Sequence, residues 1–141
     1  MLMKYLGLDI GDKRIGISVS TTGIMASGIE TYSRTSLKND VLHIKELADK
    51  FGIDMVVVGL PRHLNGDEHE QAQKNEVLCE ALREVGLEID YFDERLTSAA
   101  AENAMLAADL SRKKRKANID KLAAVIILQD YIDSKNGGFM L

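Results

Sequence analysis

The chain has little of several residue types, and each shortage excludes a class of protein. Its single cysteine, Cys79, cannot form an internal disulfide, and its apolar neighbours are typical of a helix in a core. Its longest apolar runs, such as 55–60 and 122–128, fall far short of the roughly 20 residues that a membrane-spanning helix needs. A signal-peptide pattern is also absent, because acidic residues soon follow a brief apolar stretch. We therefore expect a cytoplasmic protein with no membrane partner.

Aromatic residues are also scarce, at 5% with no tryptophan. The sequence thus shows no stacking platform of the kind that binds single-stranded nucleic acid. It contains neither a zinc motif nor a recognisable Ser-His-Asp arrangement, and no convincing protein nucleophile. Chemistry at this protein must then come from other residue types.

The length and composition of the chain predict one globular domain over residues 1–141, with 137–141 as a frayed tail. The 141 residues are 45% hydrophobic and 28% charged, which is ordinary for a folded domain. Alternating and continuous apolar patterns predict strands at 5–10, 15–20, 24–32, 55–60 and 87–92. Helical spacing predicts helices at 36–52, 71–85, 97–110 and 119–133, and the polar residues 62–70 are expected to form a loop.

The order of these elements predicts the fold class. Short turns join the first three strands, so they should be antiparallel, whereas helices separate the later two, which should be parallel. We expect an α/β domain with a five-stranded mixed sheet flanked by helices.

Three carboxylates fall where a predicted strand ends or a helix begins. Asp9 closes the first strand, Glu94 follows the fifth strand, and Asp120 heads an apolar stripe of the last helix. Carboxylates that meet at one edge repel each other, and Mg²⁺ or Mn²⁺ would relieve that repulsion while polarising a phosphate. Each acid also has a simpler interpretation. Asp9 could be an ordinary turn aspartate and Asp120 a helix cap. Glu94 could be a solvated loop acid, with the neighbouring Asp93 as an alternative candidate for its role.

A run of five cations stands out against the net charge of −4. Arg112 to Lys116 are all basic, and the rest of the chain carries a net charge of −9. A local patch governs phosphate binding more than the total charge does. The alternative is a solvated loop between two helices.

Four segments resemble one known family, and they are LGLDIGDKRIG, VVVGLP, DERLTS and RKKRKANIDKLAAVIIL. They resemble the YqgF (RuvX) family of small bacterial proteins. The resemblance implies a ribonuclease-H-like fold, kinship with Holliday junction resolvases, and a nuclease that matures the 5′ end of pre-16S rRNA. It also implies that Asp9, Glu94 and Asp120 are the catalytic, metal-binding acids.

The residues expected to contact nucleic acid are Lys13, Arg14, Arg95, Arg112, Lys113, Lys114, Arg115 and Lys116. The chain departs from the family at one point. Ser20 is followed by Thr21 and Thr22, where the family commonly has an aspartate, which puts a fourth acid in doubt.

The hypothesis is a Mg²⁺- or Mn²⁺-dependent nuclease for structured RNA, by resemblance precursor rRNA, with branched DNA as the alternative substrate. Two other classes stay open. Asp9 and Gly11 with Gly16 also resemble the first phosphate loop of actin-like ATPases, although a second glycine loop is lacking. A non-catalytic RNA-binding ribosome-assembly factor could keep the same acids. Either a monomer or a weak homodimer is compatible with the sequence.

Overall fold

The computed structural model describes residues 2–60, 66–93 and 112–136, with backbone only for 66–72 and 112–119. The strands are β1 (Tyr5–Ile10), β2 (Arg14–Ser20), β3 (Ser27–Ser33), β4 (Met55–Leu60) and β5 (Ile89–Asp93). The helices are α1 (Leu37–Phe51), α2 (Gly66–Glu84) and α3 (Arg112–Lys135). The helix expected at 97–110, the residues Glu94 and Arg95, and the tail 137–141 lie outside the described residues.

The five strands form one mixed sheet in the order β3-β2-β1-β4-β5. β1 pairs antiparallel with β2, and β2 pairs antiparallel with β3. β1 pairs parallel with β4, and β4 pairs parallel with β5. This arrangement confirms the predicted α/β class and the division into three antiparallel and two parallel strands.

The two faces of the sheet carry different helices because side chains alternate along each strand. Leu6, Leu8 and Ile10 of β1 point to the larger core, where Ile44 of α1 and Leu78 of α2 are fully buried. Cys79 is buried in this core as well, as its apolar neighbours predicted. α3 covers the opposite face.

The smaller core lies between α3 and that opposite face of the sheet. Tyr5 of β1, Val57 of β4 and Phe92 of β5 pack there against the apolar stripe of α3. The stripe consists of Ile127, Leu128, Tyr131 and Ile132. Asp9 follows Tyr5 at a spacing of four, so it also faces α3.

Local sequence signals set the bounds of α1. The Ser36 side chain accepts a hydrogen bond from the Asn39 amide, which caps the first turn, and Gly52 ends the helix in the left-handed region at φ 64°. Both ends agree with the prediction from the sequence. None of the helices in the described ranges is long and apolar enough to cross a membrane.

Four expectations about element bounds were wrong, one of them at β5, which begins at Ile89 rather than residue 87. β3 begins at Ser27 rather than residue 24, and α2 begins at Gly66, so 66–70 are helical rather than part of a loop. α3 begins at Arg112, so the five cations belong to the helix instead of preceding it. For the two helices the physical reason is that Lys, Arg, Glu and Gln are good helix formers, so a polar run need not be a loop.

Candidate carboxylate site

Asp9 occupies the last-but-one position of β1, opposite Gly16 of β2. Its side chain is half-buried on the sheet face that α3 covers. Burial, and secondarily the charge of Asp120, raise the pKa of Asp9 from 3.8 to about 6. Because burial disfavours the ionised form of Asp9, a bound cation would stabilise that form.

Small residues on β1 and β2 let α3 approach closely enough to bring Asp120 to Asp9. A Cβ atom on Gly16 would lie 1.8 Å from the carbonyl oxygen of Asp120, and one on Gly7 would lie 2.9 Å from Cβ of Leu128. Both glycines are therefore required for the close packing of the helix on the sheet.

Ser18, the next residue of β2 on the same face, anchors α3 to the sheet. Its hydroxyl donates a 2.8 Å hydrogen bond to the carbonyl oxygen of Ala124, one helical turn after Asp120, and the bond is buried. Because the bond is made to the backbone, it fixes the helix itself rather than a mobile side chain. The position of Asp120 along the sheet follows from this contact.

Arg14 compensates the charge of Asp120. Its Nε donates to Oδ2 of Asp120 at 3.0 Å, and the Arg14 and Asp120 side chains are 45% and 24% exposed. The alternative interpretation of Asp120 as a helix cap was wrong. Asp120 is the ninth residue of α3, and the first turn has no acid.

The parallel strands bring a third sequence position to the same edge. β1, β4 and β5 run in one direction, so their carboxyl ends lie together, and Asp93 ends β5 opposite Leu60. Glu94 follows Asp93 directly but lies outside the described residues. Within the described ranges, no group of three or more His, Cys, Asp or Glu side chains could hold a metal ion.

Two of the three predicted acids are thus brought together, and their chemistry fits a divalent cation. Carboxylate oxygens are the ligands that Mg²⁺ and Mn²⁺ prefer. The raised pKa of Asp9 reflects a buried carboxyl beside a second acid, and a cation would reverse that cost. Glu94 is the candidate for a further ligand.

The predicted nucleic-acid contacts fall in three places. Lys13 is exposed in the β1–β2 turn, and Arg14 lies at the carboxylate pair. The basic run from Arg112 to Lys116 forms the start of α3, and Lys116 precedes Asp120 by four residues, about one helical turn. Arg95 is outside the described residues.

Arg34 holds the β1–β2 turn in place, a role that was not predicted from the sequence. Its Nη1 donates to the carbonyl oxygen of Gly11 at 2.9 Å, and its Nε donates to buried Asp40 at 2.9 Å. The Arg34 amide also donates to the carbonyl oxygen of Lys13. No local pattern signals this role, whereas the small residues at 7, 16 and 18 do signal a close approach on one strand face.

Comparisons with known proteins identify the family to which the chain is similar. A family model described as "RuvX: Holliday junction resolvase" matches residues 3–134. A Clostridium tetani protein named "Putative pre-16S rRNA nuclease" is 45% identical over 134 residues, which cover 94% of this chain and 97% of the relative. A Clostridium botulinum protein of the same name is 48% identical, with 94% and 98% covered.

Solved structures show the same fold at low identity. The Thermus thermophilus RuvC complex with a Holliday junction has a TM-score of 0.60 at 15% identity, covering 96% of both chains. The fowlpox virus Holliday junction resolvase has a TM-score of 0.56 at 13% identity, covering 94% of this chain and 99% of that one. These resolvase-like neighbours confirm the ribonuclease-H-like fold. Since the family model spans nearly the whole chain and the relatives exceed 30% identity, the chain belongs to the RuvX family.

Proposed function

We propose that this protein is a Mg²⁺- or Mn²⁺-dependent nuclease that hydrolyses phosphodiester bonds in structured RNA, with the 5′ end of pre-16S rRNA as its target. The observation that carries the proposal is the meeting of Asp9 and Asp120 beside Arg14 at one edge of the sheet. The names of the curated relatives support the choice of substrate.

Asp9, Asp120 and Glu94 are the residues that would hold the cation. When bound, a divalent metal supplies an activated water and stabilises the charge that develops on the phosphate. A bound cation would stabilise the ionised form of Asp9 and lower its pKa, because a nearby positive charge favours the carboxylate. Its raised pKa therefore couples cation binding to pH.

Arg14 has a second role beside the acids. A guanidinium carries five N–H donors, and the bond from Nε to Asp120 uses one of them. The remaining donors suit the non-bridging oxygens of a phosphate held at the acids. Arg14 would then orient the phosphate while still holding Asp120 in place.

The basic start of α3 supplies further charge for the substrate backbone. Arg112 to Lys116 lie on the same helix as Asp120, so strand binding and the acids are joined by one rigid element. Contacts of this kind are mostly to phosphates and depend strongly on salt. We propose that the protein acts on structured RNA in the cytoplasm and has no membrane partner.

Cleavage of branched DNA is the second candidate, favoured by the description of the matching family model. Its chemistry at phosphorus would be the same, and selection between RNA and DNA would rest on groove shape and the 2′-hydroxyl. Symmetric junction cutting needs two sites, hence a homodimer, whereas end trimming needs only a monomer. A non-catalytic RNA-binding factor remains the third candidate function.

The test is cleavage of a labelled 5′-extended 16S precursor and of a four-way DNA junction, each with Mg²⁺, Mn²⁺ or EDTA. Wild type is compared with Asp9→Asn, Asp120→Asn and Asp49→Asn. Asp49 is the matched control, because its exposed carboxylate pairs only with Lys45 among the described residues.

Metal-dependent RNA cutting that both site variants lose and Asp49→Asn keeps would support the proposal. If the junction is cut and the RNA stays intact, branched DNA replaces RNA as the proposed substrate. Equal activity in all four proteins would mean that a contaminating nuclease is responsible or that Asp9 and Asp120 are not catalytic. Salt-sensitive RNA binding without cleavage by the wild type would favour the non-catalytic factor.

A further inference from the structure

A cationic cleft adjoins the carboxylate pair on the side of the β1–β2 turn. It has a volume of about 840 Å³ and is bounded by the turn, the start of α1 and the middle of α2. Its lining includes four cations, Lys13, Arg14, Arg34 and Lys74.

The acids of this cleft are largely neutralised by its own cations. Asp40 is buried and paired with Arg34 at 2.9 Å, and Asp12 is paired with Lys74 at 3.3 Å. In the part of the chain that the structure describes, Lys13 has no ion-pair partner. Positive charge therefore predominates at the surface of the cleft.

Two donor groups inside the cleft are preorganised for an anion. Arg34 is held rigidly by its bonds to Gly11 and Asp40, which use two of its five N–H donors. The start of α1 also lines the cleft, and the amides of Leu37 and Lys38 have no partner within the helix because they lie in its first turn. Fixed guanidinium donors and helix amides together match the oxygens of a phosphate.

Arg14 connects this cleft to the acids. Its side chain lines the cleft, and its Nε bonds to Asp120. A phosphate in the cleft therefore lies one arginine side chain away from the site where the cation would bind. A strand that places one phosphate at the acids would bring a neighbouring phosphate into the cleft.

We propose that the cleft formed by Lys13, Arg34, Lys74 and the start of α1 binds a backbone phosphate of the nucleic-acid strand whose scissile bond lies at Asp9 and Asp120. The inference rests on the proposed function and deepens it. The cleft fixes the register of the strand, so its residues position the substrate rather than react with it.

The test removes charge from the cleft without disturbing the fold. Lys13→Ala/Lys74→Ala is chosen because both side chains are exposed, whereas Arg34 supports buried Asp40. Lys45→Ala/Lys50→Ala is the matched control, since it removes two lysines, half-buried Lys45 and exposed Lys50, from the second half of α1. Both are made in an Asp120→Asn background, which removes cleavage that depends on this acid, and binding is measured in EDTA to stop any other metal-dependent cleavage.

Affinity for a labelled structured RNA is measured over a range of KCl concentrations. The cleft variant should bind roughly ten-fold more weakly, and its log–log salt slope should be smaller by about 0.7–0.9, the loss of one phosphate contact. The control should keep both the affinity and the slope of the parent. Equal effects of the two double substitutions, or no RNA binding by the parent, would overturn the proposal.

Neutral methylphosphonates placed one at a time along the RNA locate the phosphate. One position should weaken binding by the parent protein and have no further effect on the cleft variant. If every position weakens both proteins equally, the cleft holds no phosphate. Because neither measurement uses cleavage, a failure here is distinguishable from a failure of the proposed nuclease activity.

Discussion

Nε of Arg14 lies 3.0 Å from Oδ2 of Asp120, although the two residues are 106 positions apart in the chain. The pair joins the first residue of β2 to the middle of α3. It places a cation beside the two acids of the candidate site, and several expectations depend on it.

The Arg14–Asp120 pair should contribute little to stability. Both side chains are partly exposed, and such pairs contribute about 0.2–1 kcal/mol. A double-mutant cycle of Arg14→Ala and Asp120→Asn, measured by urea unfolding, should give a coupling energy in that range. Cleavage by Arg14→Ala should nevertheless fall at least ten-fold. A coupling above about 2 kcal/mol would make Arg14 a structural residue instead.

Asp9 should make the stability of the metal-free protein fall as pH rises from about 4 to about 6. Burial raises the folded-state pKa from 3.8 to about 6, so the folded chain binds more protons than the unfolded chain in this window. The stabilisation is complete below pH 3.8 and is lost as pH passes through about 6. The full shift corresponds to about 3 kcal/mol, and for a half-buried group we expect about 1–3 kcal/mol.

Asp9→Asn should flatten this pH dependence and be more stable than wild type near pH 7 in EDTA. Urea unfolding between pH 4 and pH 7 measures both effects. Asp49→Asn serves as the exposed control and should retain the wild-type pH profile. If the stability of wild type relative to Asp9→Asn rises between pH 4 and pH 6, the pKa of Asp9 is not raised.

Cation binding should be visible without any cleavage. Addition of Mn²⁺ or Mg²⁺ at pH 7 should raise the Tm of wild type, because a ligand that binds only the folded state stabilises it by an amount that grows with the logarithm of the ligand concentration. Asp9→Asn and Asp120→Asn should show a smaller rise. An identical rise in all variants would assign the cation to another site.

Gly16→Ala should destabilise the fold and disturb the site together. The added Cβ would lie 1.8 Å from the Asp120 carbonyl oxygen, a backbone atom that only a shift of α3 can relieve. We expect a loss of about 3 kcal/mol or more in unfolding free energy and a large loss of cleavage. Gly28→Ala is the comparison, because its added Cβ would lie 2.8 Å from Cγ of Lys121, a side chain that can change rotamer, and it should cost less than Gly16→Ala.

Tyr131 ties α3 to the strand that leads to Glu94. Its hydroxyl donates to Oδ2 of Asp90 at 2.6 Å, and burial followed by this bond raises its pKa well above the usual range. Tyr131→Phe should cost about 2 kcal/mol in urea unfolding, since a bond to a charged acceptor is lost. If cleavage falls although the variant remains folded under the assay conditions, β5 positions the third candidate acid, Glu94.

Much of the fold was predictable because local patterns dictate it. Alternation of apolar residues predicted β1 and β2, and the continuous run ending at Leu60 predicted β4 without error. Ser36 and Gly52 marked the ends of α1. The bounds that failed, at Gly66 and Arg112, lie in polar sequence, where helix propensity and loop composition are hard to separate.

The sequence by itself identified the candidate acids, the basic run, the order of the elements along the chain and the division into antiparallel and parallel strands, because these depend on residue type and local periodicity. Only the tertiary structure decided that Arg14, rather than helix amides, compensates Asp120, and that Arg34 and Lys74 share a cleft. Such pairings depend on contacts between segments far apart in the chain. Close packing of α3 on Gly16 creates the first, and the turn held by Arg34 creates the second.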